Sequence, residues 1–526
     1  MSYVIKESEL EKVLPKKTES LCPECKKIIE ADIYEEDGKV MISKTCDEHG
    51  FFKDVYWSDV GLYKKAESWA FDGVGVDNPL IKAEKGCPWD CGLCDIHMSH
   101  TSLANLDLTN RCNLRCPICF ANANDAGYVY EPTFGEVTFM LETLRAERPV
   151  HCKAVQFSGG EPTIYPHILE VIAKAKELGF AQIQIATNGI RMANEPGFTQ
   201  KLVDAGLHTV YLQFDGMKEE DYIGARGRPL LETKKKALQT IREVKGGKLS
   251  VVLVPTILNG LNDDQLGAIL QFAIDNMDVV RSVNYQPVSF AGRIDQEERE
   301  KGRFTLPDMV DRLEAQTDFI TRDDFFPVPV VTPISEFLSV MKEEPQLAFT
   351  PHPHCGLATY LYVDKDRNAT PITQFVDVEA LFRDILELAH KSEGKKIKAP
   401  MKIKAFNLIR KHFKKDKAPA GMGVTKFLKQ LEGLFSSTEK EATAEISWGL
   451  IMVGGMHFQD LYNYDIERVK RCVIHYVVPD GRIIPFCAFN TGPEFRHEVE
   501  EKYQISFDEY RARHGKDAVP EGEVCE

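Results

Sequence analysis

The chain has no apolar run approaching the roughly eighteen residues that a membrane-spanning helix needs. Its opening stretch, Met1 to Lys12, is charged where a secretory leader would be apolar, so a cytoplasmic location is expected. Positive charge is also short: 65 Lys and Arg stand against 80 Asp and Glu among 526 residues, a net charge of -15. Without a basic face to neutralise phosphates, general nucleic-acid binding is not expected. Internal repeats and long low-complexity tracts are missing as well, which excludes solenoids and fibrous arrays.

What the chain does have is cysteine, 14 in all. In a reducing interior, a chain long enough to bury several cores uses cysteines as metal ligands sooner than as disulfides. Twelve fall into groups of three: Cys22, Cys25 and Cys46; Cys87, Cys91 and Cys94; Cys112, Cys116 and Cys119; and the dispersed Cys355, Cys472 and Cys487. Cys152 and Cys525 remain as structural residues.

Between residues 103 and 288, β-rich apolar runs alternate with helical patterns. Strands are expected at Ala104–Thr109, Ala154–Ser158, Ile183–Thr187, Val210–Phe214, Val251–Ile257 and Ser282–Val288. Helices are expected at Thr133–Arg145, Ile168–Leu178, Lys201–Ala205, Leu231–Val244 and Gln265–Asn276. Six such βα units make an α/β fold, a parallel sheet curled into a partial (β/α)6 barrel whose site lies at the C-terminal strand ends. Four segments follow: a metal-knuckle module (1–60), a bridging segment with a cysteine triplet (61–102), the barrel (103–330), and a C-terminal domain with cysteines and basic amphipathic helices (331–526).

Directly after the first strand comes Asn110-Arg111-Cys112-Asn113-Leu114-Arg115-Cys116-Pro117-Ile118-Cys119-Phe120. Three thiolates this close on one loop can each take one iron of a 4Fe-4S cube and leave the fourth iron without a protein ligand. A zinc knuckle or a fully ligated storage cluster is the other reading of the triplet alone. Here the sequence resembles the radical S-adenosylmethionine (SAM) superfamily, whose CxxxCxxC signature is matched in full, with Phe120 as the customary aromatic. The resemblance extends to Ser158-Gly159-Gly160-Glu161-Pro162-Thr163, where bare glycine backbone can approach the methionine amino group and Glu161 can meet its charge. Thr187-Asn188-Gly189 and Asp215-Gly216 resemble further cofactor contacts of the family, though both are also ordinary turn sequences. Arg226 can hold the SAM carboxylate bidentately or stand on the surface. The resemblance implies SAM and a 4Fe-4S cluster as cofactors, a low-potential reductant such as ferredoxin, and a 5′-deoxyadenosyl radical that removes hydrogen from substrate.

Cys22-Pro23-Glu24-Cys25 and Cys46-Asp47-Glu48-His49 form two knuckles at the spacing of a rubredoxin or zinc ribbon, with His49 as fourth ligand to one mononuclear Fe or Zn. Cys87, Cys91 and Cys94 repeat the triplet ahead of the barrel and read as ligands of an auxiliary 4Fe-4S cluster. Cys355, Cys472 and Cys487 read as a second such set, with Cys487 presented by a hairpin-like segment, Pro479 to Cys487.

This arrangement resembles the archaeal tetraether lipid synthases over essentially the whole chain, which implies carbon–carbon bond formation between isoprenoid chains of diether lipids. Members of the same group are assigned as methyltransferases of 7,8-dihydro-6-hydroxymethylpterin, the alternative reading. One local feature favours lipid. From Lys395 to Lys417, Lys395, Lys396, Lys398, Lys402, Lys404, Arg410, Lys411, Lys414, Lys415 and Lys417 oppose only Asp416, while Met401, Ala405, Leu408, Ile409 and Phe413 share a helical face. Phe427, Leu428, Leu431, Leu434 and Phe435 extend it. A membrane surface is therefore an expected partner, with peripheral docking at the inner face of the membrane; a helix packed on the barrel is the competing reading.

Overall fold

The computed structural model describes residues 5–515 apart from 125, 248, 293–298, 396–398 and 433–448. Lys396, Lys398, Leu434, Phe435 and Cys525 lie outside the described residues. The N-terminal module is a four-stranded antiparallel ribbon, β1 (Lys16–Leu21), β2 (Ile28–Glu36), β3 (Lys39–Cys46) and β4 (Gly50–Trp57). Its two sharp turns carry the knuckle cysteines.

The six expected strands follow as β5 (Leu103–Asp107), β6 (Ala154–Ser158), β7 (Gln182–Thr187), β8 (Thr209–Gln213), β9 (Ser250–Val254) and β10 (Val280–Pro287), all parallel. Each strand alternates, and its apolar residues face the outer helices: Val155, Phe157, Ile183, Ile185, Val210 and Leu212 are fully buried there. Between them run α1 (Phe134–Ala146), α2 (Ile168–Glu177), α3 (Phe198–Ala205), α4 (Glu219–Arg226), α5 (Leu231–Arg242) and α6 (Leu266–Asp275). Helix α1 starts where it does because Thr133 and Glu136 cap it reciprocally: Glu136 N donates to Thr133 Oγ1 at 3.3 Å and Thr133 N to Glu136 Oε2 at 2.7 Å.

The C-terminal region does not form a sheet of its own. Strand β11 (Gly356–Val363) runs antiparallel to β12 (Leu450–Met456), and β12 joins β10 in parallel. At the opposite edge, β13 (Ile474–Val477) pairs in parallel with β5 and turns back into β14 (Ile483–Pro485). Two late strands thus extend the six-stranded parallel sheet at both edges, and the hairpin read at Pro479–Cys487 is the β13–β14 turn.

Helices α7 (Thr332–Lys342), α8 (Val378–His390), α9 (Ala399–His412) and α10 (Val424–Glu432) build a second core outside the barrel. Here the membrane expectation is corrected. Met401, Ala405, Ile409, Phe413 and Phe427 are buried against Phe337, Phe375 and Ile385, with Leu408 half-buried, so the apolar face of α9 is largely taken up by a protein partner; Ile403, on another side of the helix, stays exposed. Lys411 pairs with Asp384 at 2.8 Å and Lys414 reaches Asp377 at 4.0 Å, which anchors part of the basic face to α8 and its cap. Among the described residues no helix is long and apolar enough to cross a membrane.

One buried carboxyl makes stability pH-dependent. Glu147, at the end of α1, accepts Thr101 N at 2.7 Å, and burial raises its pKa from about 4.5 to about 7. The folded chain therefore holds a proton between pH 4.5 and 7 that the unfolded chain has released. The contribution of this group is full below pH 4.5 and falls as pH rises through 7. Glu147→Gln should flatten that dependence and raise the urea midpoint at pH 8 while leaving it nearly unchanged at pH 4, as read by parallel denaturation curves.

Candidate functional site

A cavity of about 250 Å³ opens at the C-terminal ends of the barrel strands. Cys112, Cys116 and Cys119 line it, all partly exposed, on the loop that follows β5. Asn124 clamps this loop: Cys112 N donates to Asn124 Oδ1 at 2.9 Å, and Asn124 Nδ2 donates to Cys112 O at 2.8 Å and Leu114 O at 3.1 Å. Its left-handed backbone, φ 68°, aims the amide inward. Nothing in the cysteine spacing points to Asn124; an Asn at a tight loop end was the only available signal. Burial, and then the nearby Glu161 carboxylate, pushes the Cys112 thiol well up. Burial also raises Cys116, with the Arg226 guanidinium opposing it. The Cys112 and Cys116 thiols thus hold their protons more tightly, and metal binding must displace them.

Gly159 and Gly160 press against this loop backbone to backbone. Gly160 N donates to Thr109 O at 2.7 Å and Glu161 N to Arg111 O at 3.0 Å. A Cβ on Gly160 would stand 2.2 Å from Arg111 O, and one on Gly159, whose φ is +125°, 2.3 Å from Thr109 O. The bare backbone is thus a steric requirement. Glu161 is buried and gathers the neighbouring loops: Thr163 N (3.1 Å) and the Thr163 and Thr187 hydroxyls (2.5 and 2.6 Å) donate to Oε1, and Asn188 N (2.9 Å) to Oε2. Asn188 Nδ2 donates to Asn113 Oδ1 at 2.6 Å, which ties the third strand end to the cysteine loop.

Asp215 and Arg226 form a buried two-pronged pair, Nε to Oδ2 at 2.8 Å and Nη2 to Oδ1 at 2.6 Å. Arg226 also donates to Ile118 O at 3.2 Å and Thr256 Oγ1 at 2.9 Å, so its charge is committed to Asp215 and the cysteine loop. Lys234 is a further buried cation that the sequence did not single out. It donates to Asn188 O at 2.6 Å and Gln213 Oε1 at 3.1 Å, and burial lowers its pKa to about 8. A lysine inside a helix, Lys234 in α5, looks like any surface lysine in the sequence.

In the ribbon, Cys22, Cys25, Cys46 and His49 bring their ligand atoms within 4.8 Å of one another, the tight spacing of a single tetrahedral ion. Cys46 Sγ and Cys22 Sγ lie 3.5 and 3.7 Å from His49 Nδ1, and Cys25 Sγ lies 3.9 Å from Cys46 Sγ. The His49 hydrogen bond lowers the Cys46 thiol to about 6. The ribbon docks on residues 461–465: Thr18 Oγ1 and Tyr56 OH each donate to Asp465 at 2.7 Å, and Lys44 Nζ donates to Leu461 O at 2.6 Å. That segment continues from the Phe458 and Gln459 wall of the cavity. Cys25→Ser should therefore release the mononuclear metal, lower the melting temperature by several degrees and loosen the cavity wall; metal analysis and calorimetry on the purified variant check this.

Cys87, Cys91 and Cys94 line a small hollow beside Lys470, with the Cys87 thiol against Cys91. Cys355, Cys472 and Cys487, far apart in sequence, converge. Arg468 Nε donates to Cys355 Sγ at 3.4 Å and Gln459 N to Cys487 Sγ at 3.5 Å, and burial followed by the neighbouring Cys487 and Cys355 pushes Cys472 far up. Cys487 also lines the main cavity, opposite the Cys112 loop. His457 N donates to Cys355 O at 3.1 Å, and both ring nitrogens of His457 are buried and unpartnered; the His354 ring instead stacks on Tyr63 at 4.0 Å. Cys152 packs in the core and donates to Ala154 O at 3.2 Å. Among the described residues no cysteine is in a disulfide.

Residues 106–273 match the radical SAM superfamily, and residues 14–58 match the HMPTM N-terminal zinc ribbon domain. The chain is 47% identical to the 7,8-dihydro-6-hydroxymethylpterin dimethyltransferase of Methanocaldococcus jannaschii, over 95% of its own length and 98% of that protein. It is 31% identical to the GTP 3′,8-cyclase of Chlorobaculum tepidum over 42% of this chain and 66% of that one. Among solved structures, Streptococcus suis SuiB bound to precursor peptide SuiA aligns with a TM-score of 0.34 and 19% identity, over 42% of this chain and 46% of that one. The first of these relatives overturns the expectation of carbon–carbon bond formation between lipid chains: a protein similar end to end acts on a pterin, and the helix face that favoured lipid is buried.

Proposed function

From the premise that this chain belongs to the radical SAM superfamily, in one family with the Methanocaldococcus jannaschii pterin dimethyltransferase, we propose that it methylates a reduced, hydroxymethyl-substituted pterin. The observation that carries the reading is the similarity over nearly the whole chain, ribbon and C-terminal cysteines included.

The residues at the cavity fit the cofactors of the superfamily. Cys112, Cys116 and Cys119 would hold the 4Fe-4S cluster, and Gly159, Gly160, Glu161 and Asn188 would hold SAM, at a place where any Cβ on the glycines collides with backbone. Bound together, cluster and SAM supply a 5′-deoxyadenosyl radical, which makes an unactivated C–H position reactive. The protein's part is placement. Asn124 fixes the cysteine loop, Glu161 and Lys234 fix the loops after the second and third strands, and Arg226 with Asp215 backs the loop from below. The Phe458 and Phe486 rings, stacked at 3.7 Å, close one wall against water. Cys87, Cys91 and Cys94 would hold one auxiliary 4Fe-4S cluster. Cys355, Cys472 and Cys487 would hold a second, with His457 the unpartnered donor next to Cys355.

The test is anaerobic, on reconstituted and reduced enzyme with SAM in excess as radical source and a one-carbon donor, a second SAM included, from which the methyl carbon comes. Pterin-dependent 5′-deoxyadenosine release, with a mass gain of one or two methyl groups on 7,8-dihydro-6-hydroxymethylpterin, is the expected result. Release that the pterin does not stimulate, with no methylated product, would end the reading.

A further inference from the structure

Closed barrels fill their interiors with Val, Ile and Leu. Here the sheet is open, and two of its strands place polar residues on the cavity side, beside Ala186 and Val254 from neighbouring strands. In Ala154-Val155-Gln156-Phe157-Ser158 and in Thr209-Val210-Tyr211-Leu212-Gln213 the apolar residues go outward to the helices, and Gln156, Ser158, Tyr211 and Gln213 line the cavity. Deeper in, the polar groups form rows across the strands. Gln184 Nε2 donates to Gln156 Oε1 at 2.7 Å, and Gln156 Nε2 donates to Asn105 Oδ1 at 2.8 Å. On the facing side Asn284 Nδ2 and Gln286 Nε2 both donate to the Tyr211 hydroxyl, the latter at 3.4 Å. Buried amides cost stability unless every donor and acceptor is used, so a barrel that carries two rows of them beside a cavity holds them for recognition.

The charges narrow the ligand. Among the described residues lining the cavity, Glu161 and Arg226 are the only ionic side chains, and both are committed, Glu161 to four donors of its own loops and Arg226 to Asp215. Among the described residues lining the cavity, no further cation stands ready for a phosphate. One part of the remaining wall is aromatic: Phe486 stacks on Phe458, and Tyr476 stands 5.3 Å from Phe486.

We propose that the Asn105–Gln156–Gln184 row and the Tyr211–Gln286 pair read the lactam edge of an uncharged, planar bicyclic heterocycle lying against Phe486 and Tyr476, and that the same cavity rejects phosphorylated nucleotides. The identification of that heterocycle as a pterin rests on the methyltransferase reading; the selection for a neutral lactam does not. Gln156 sits at the centre of the row with both ends of its amide fixed by neighbours, so its remaining N–H and lone pair point in set directions. It is a specificity-determining residue.

Binding is measured anaerobically on the full-length reconstituted protein without reductant, by fluorescence titration with 6-hydroxymethylpterin. The competitors are 2,4-diamino-6-hydroxymethylpteridine, which lacks the lactam carbonyl, and GTP. Expected are binding of the pterin, a diamino analogue weaker by about tenfold or more, as a mismatched hydrogen-bond edge requires, and no competition by GTP. Gln156→Met should abolish the preference for the lactam, with folding checked by the melting temperature and by retention of the ribbon metal. Gln286→Leu, at the other row, should weaken it in the same direction if the first variant does not fold. Equal affinity for lactam and diamino forms, competition by GTP, or an undiminished preference in a folded Gln156→Met protein would overturn the proposal. Failure of the methyltransferase reading looks different: the pterin binds with lactam preference and no methylated product forms.

Discussion

Cys116→Ala should abolish 5′-deoxyadenosine formation altogether while leaving one metal ion per chain in the ribbon. Cys116 is one of three thiols on a loop that offers no fourth cysteine, so a replacement cannot be recruited from within it. Cys112 and Cys119 alone cannot hold three irons of a cube. The ribbon ligands Cys22, Cys25, Cys46 and His49 form a separate site, so metal analysis should show the loss of one cluster's iron with the mononuclear ion retained. Residual SAM cleavage above a no-enzyme control would place the radical-generating cluster at another triplet, of which Cys87, Cys91 and Cys94 are the ready candidates.

Gly160→Ala is the second large effect. The added methyl would lie 2.2 Å from Arg111 O and 3.0 Å from Asn110 O, both backbone atoms of the loop that leads into Cys112. No side chain is available to swing aside, so the two loops must part. Stability falls by about 1–3 kcal/mol, as overpacking at a tight contact does. Displacement of the cysteine loop by an ångström is worth roughly a hundredfold in SAM cleavage, because the reacting groups no longer meet in line. Gly135→Ala is the matched control: its Cβ meets only Thr133 Oγ1, at 3.9 Å, and neither stability nor cleavage should fall. The pair is read by equilibrium SAM binding and by the rate of 5′-deoxyadenosine release; equal behaviour of the two variants would show that the close approach is not needed.

The central barrel was legible because its strands are short, β-rich and separated by helices with clear caps. Ala154–Ser158 falls where the sequence puts it, and Thr133 marks the start of α1 through a capping box. Helix α4 was not legible, since Glu219 to Arg226 lacks an apolar stripe of any length and is held by its contacts. Strand β12 was hidden by Gly454 and Gly455, which weaken a strand signal. The fold demands them: a Cβ at Gly454 would lie 2.7 Å from Leu357 O, and one at Gly455 2.5 Å from the Met309 sulfur. The basic amphipathic stretch was legible as a helix, but whether its apolar face docked on a membrane or packed on protein stayed open, because periodicity reports that a face is apolar and not what covers it; most of it packs on protein.

In the site, the cysteine triplets, the glycine pair and the knuckle were readable, since metal and backbone-approach chemistry needs fixed residue types at fixed spacings. Asn124 and Lys234 were not, because each acts through backbone atoms that sequence alone does not bring near it: Asn124 through Cys112 and Leu114 ten to twelve residues earlier in its own loop, Lys234 through Asn188 in the loop after the third strand. The polar lining of the barrel was present as strict alternation in Ala154–Ser158 and Thr209–Gln213. Alternation normally means one face toward water. Here that face lines a cavity, because the cysteine loop and the Phe458 and Phe486 segments cover it, and nothing in the strand itself says so.

The pairing of Ile474, His475 and Tyr476 with Leu103, Ala104 and Asn105 has a consequence for how the molecule is made. During synthesis β5 is complete long before its outer neighbour β13 exists, and the side of the cavity formed by Ile474 and Tyr476 arrives almost last. Until then the strand that bears the Cys112 loop is an unpaired margin, and the deep thiols remain open to solvent on that flank. A chain ending before Ile474 would therefore keep this strand as a bare sheet edge and lack that flank of the cavity.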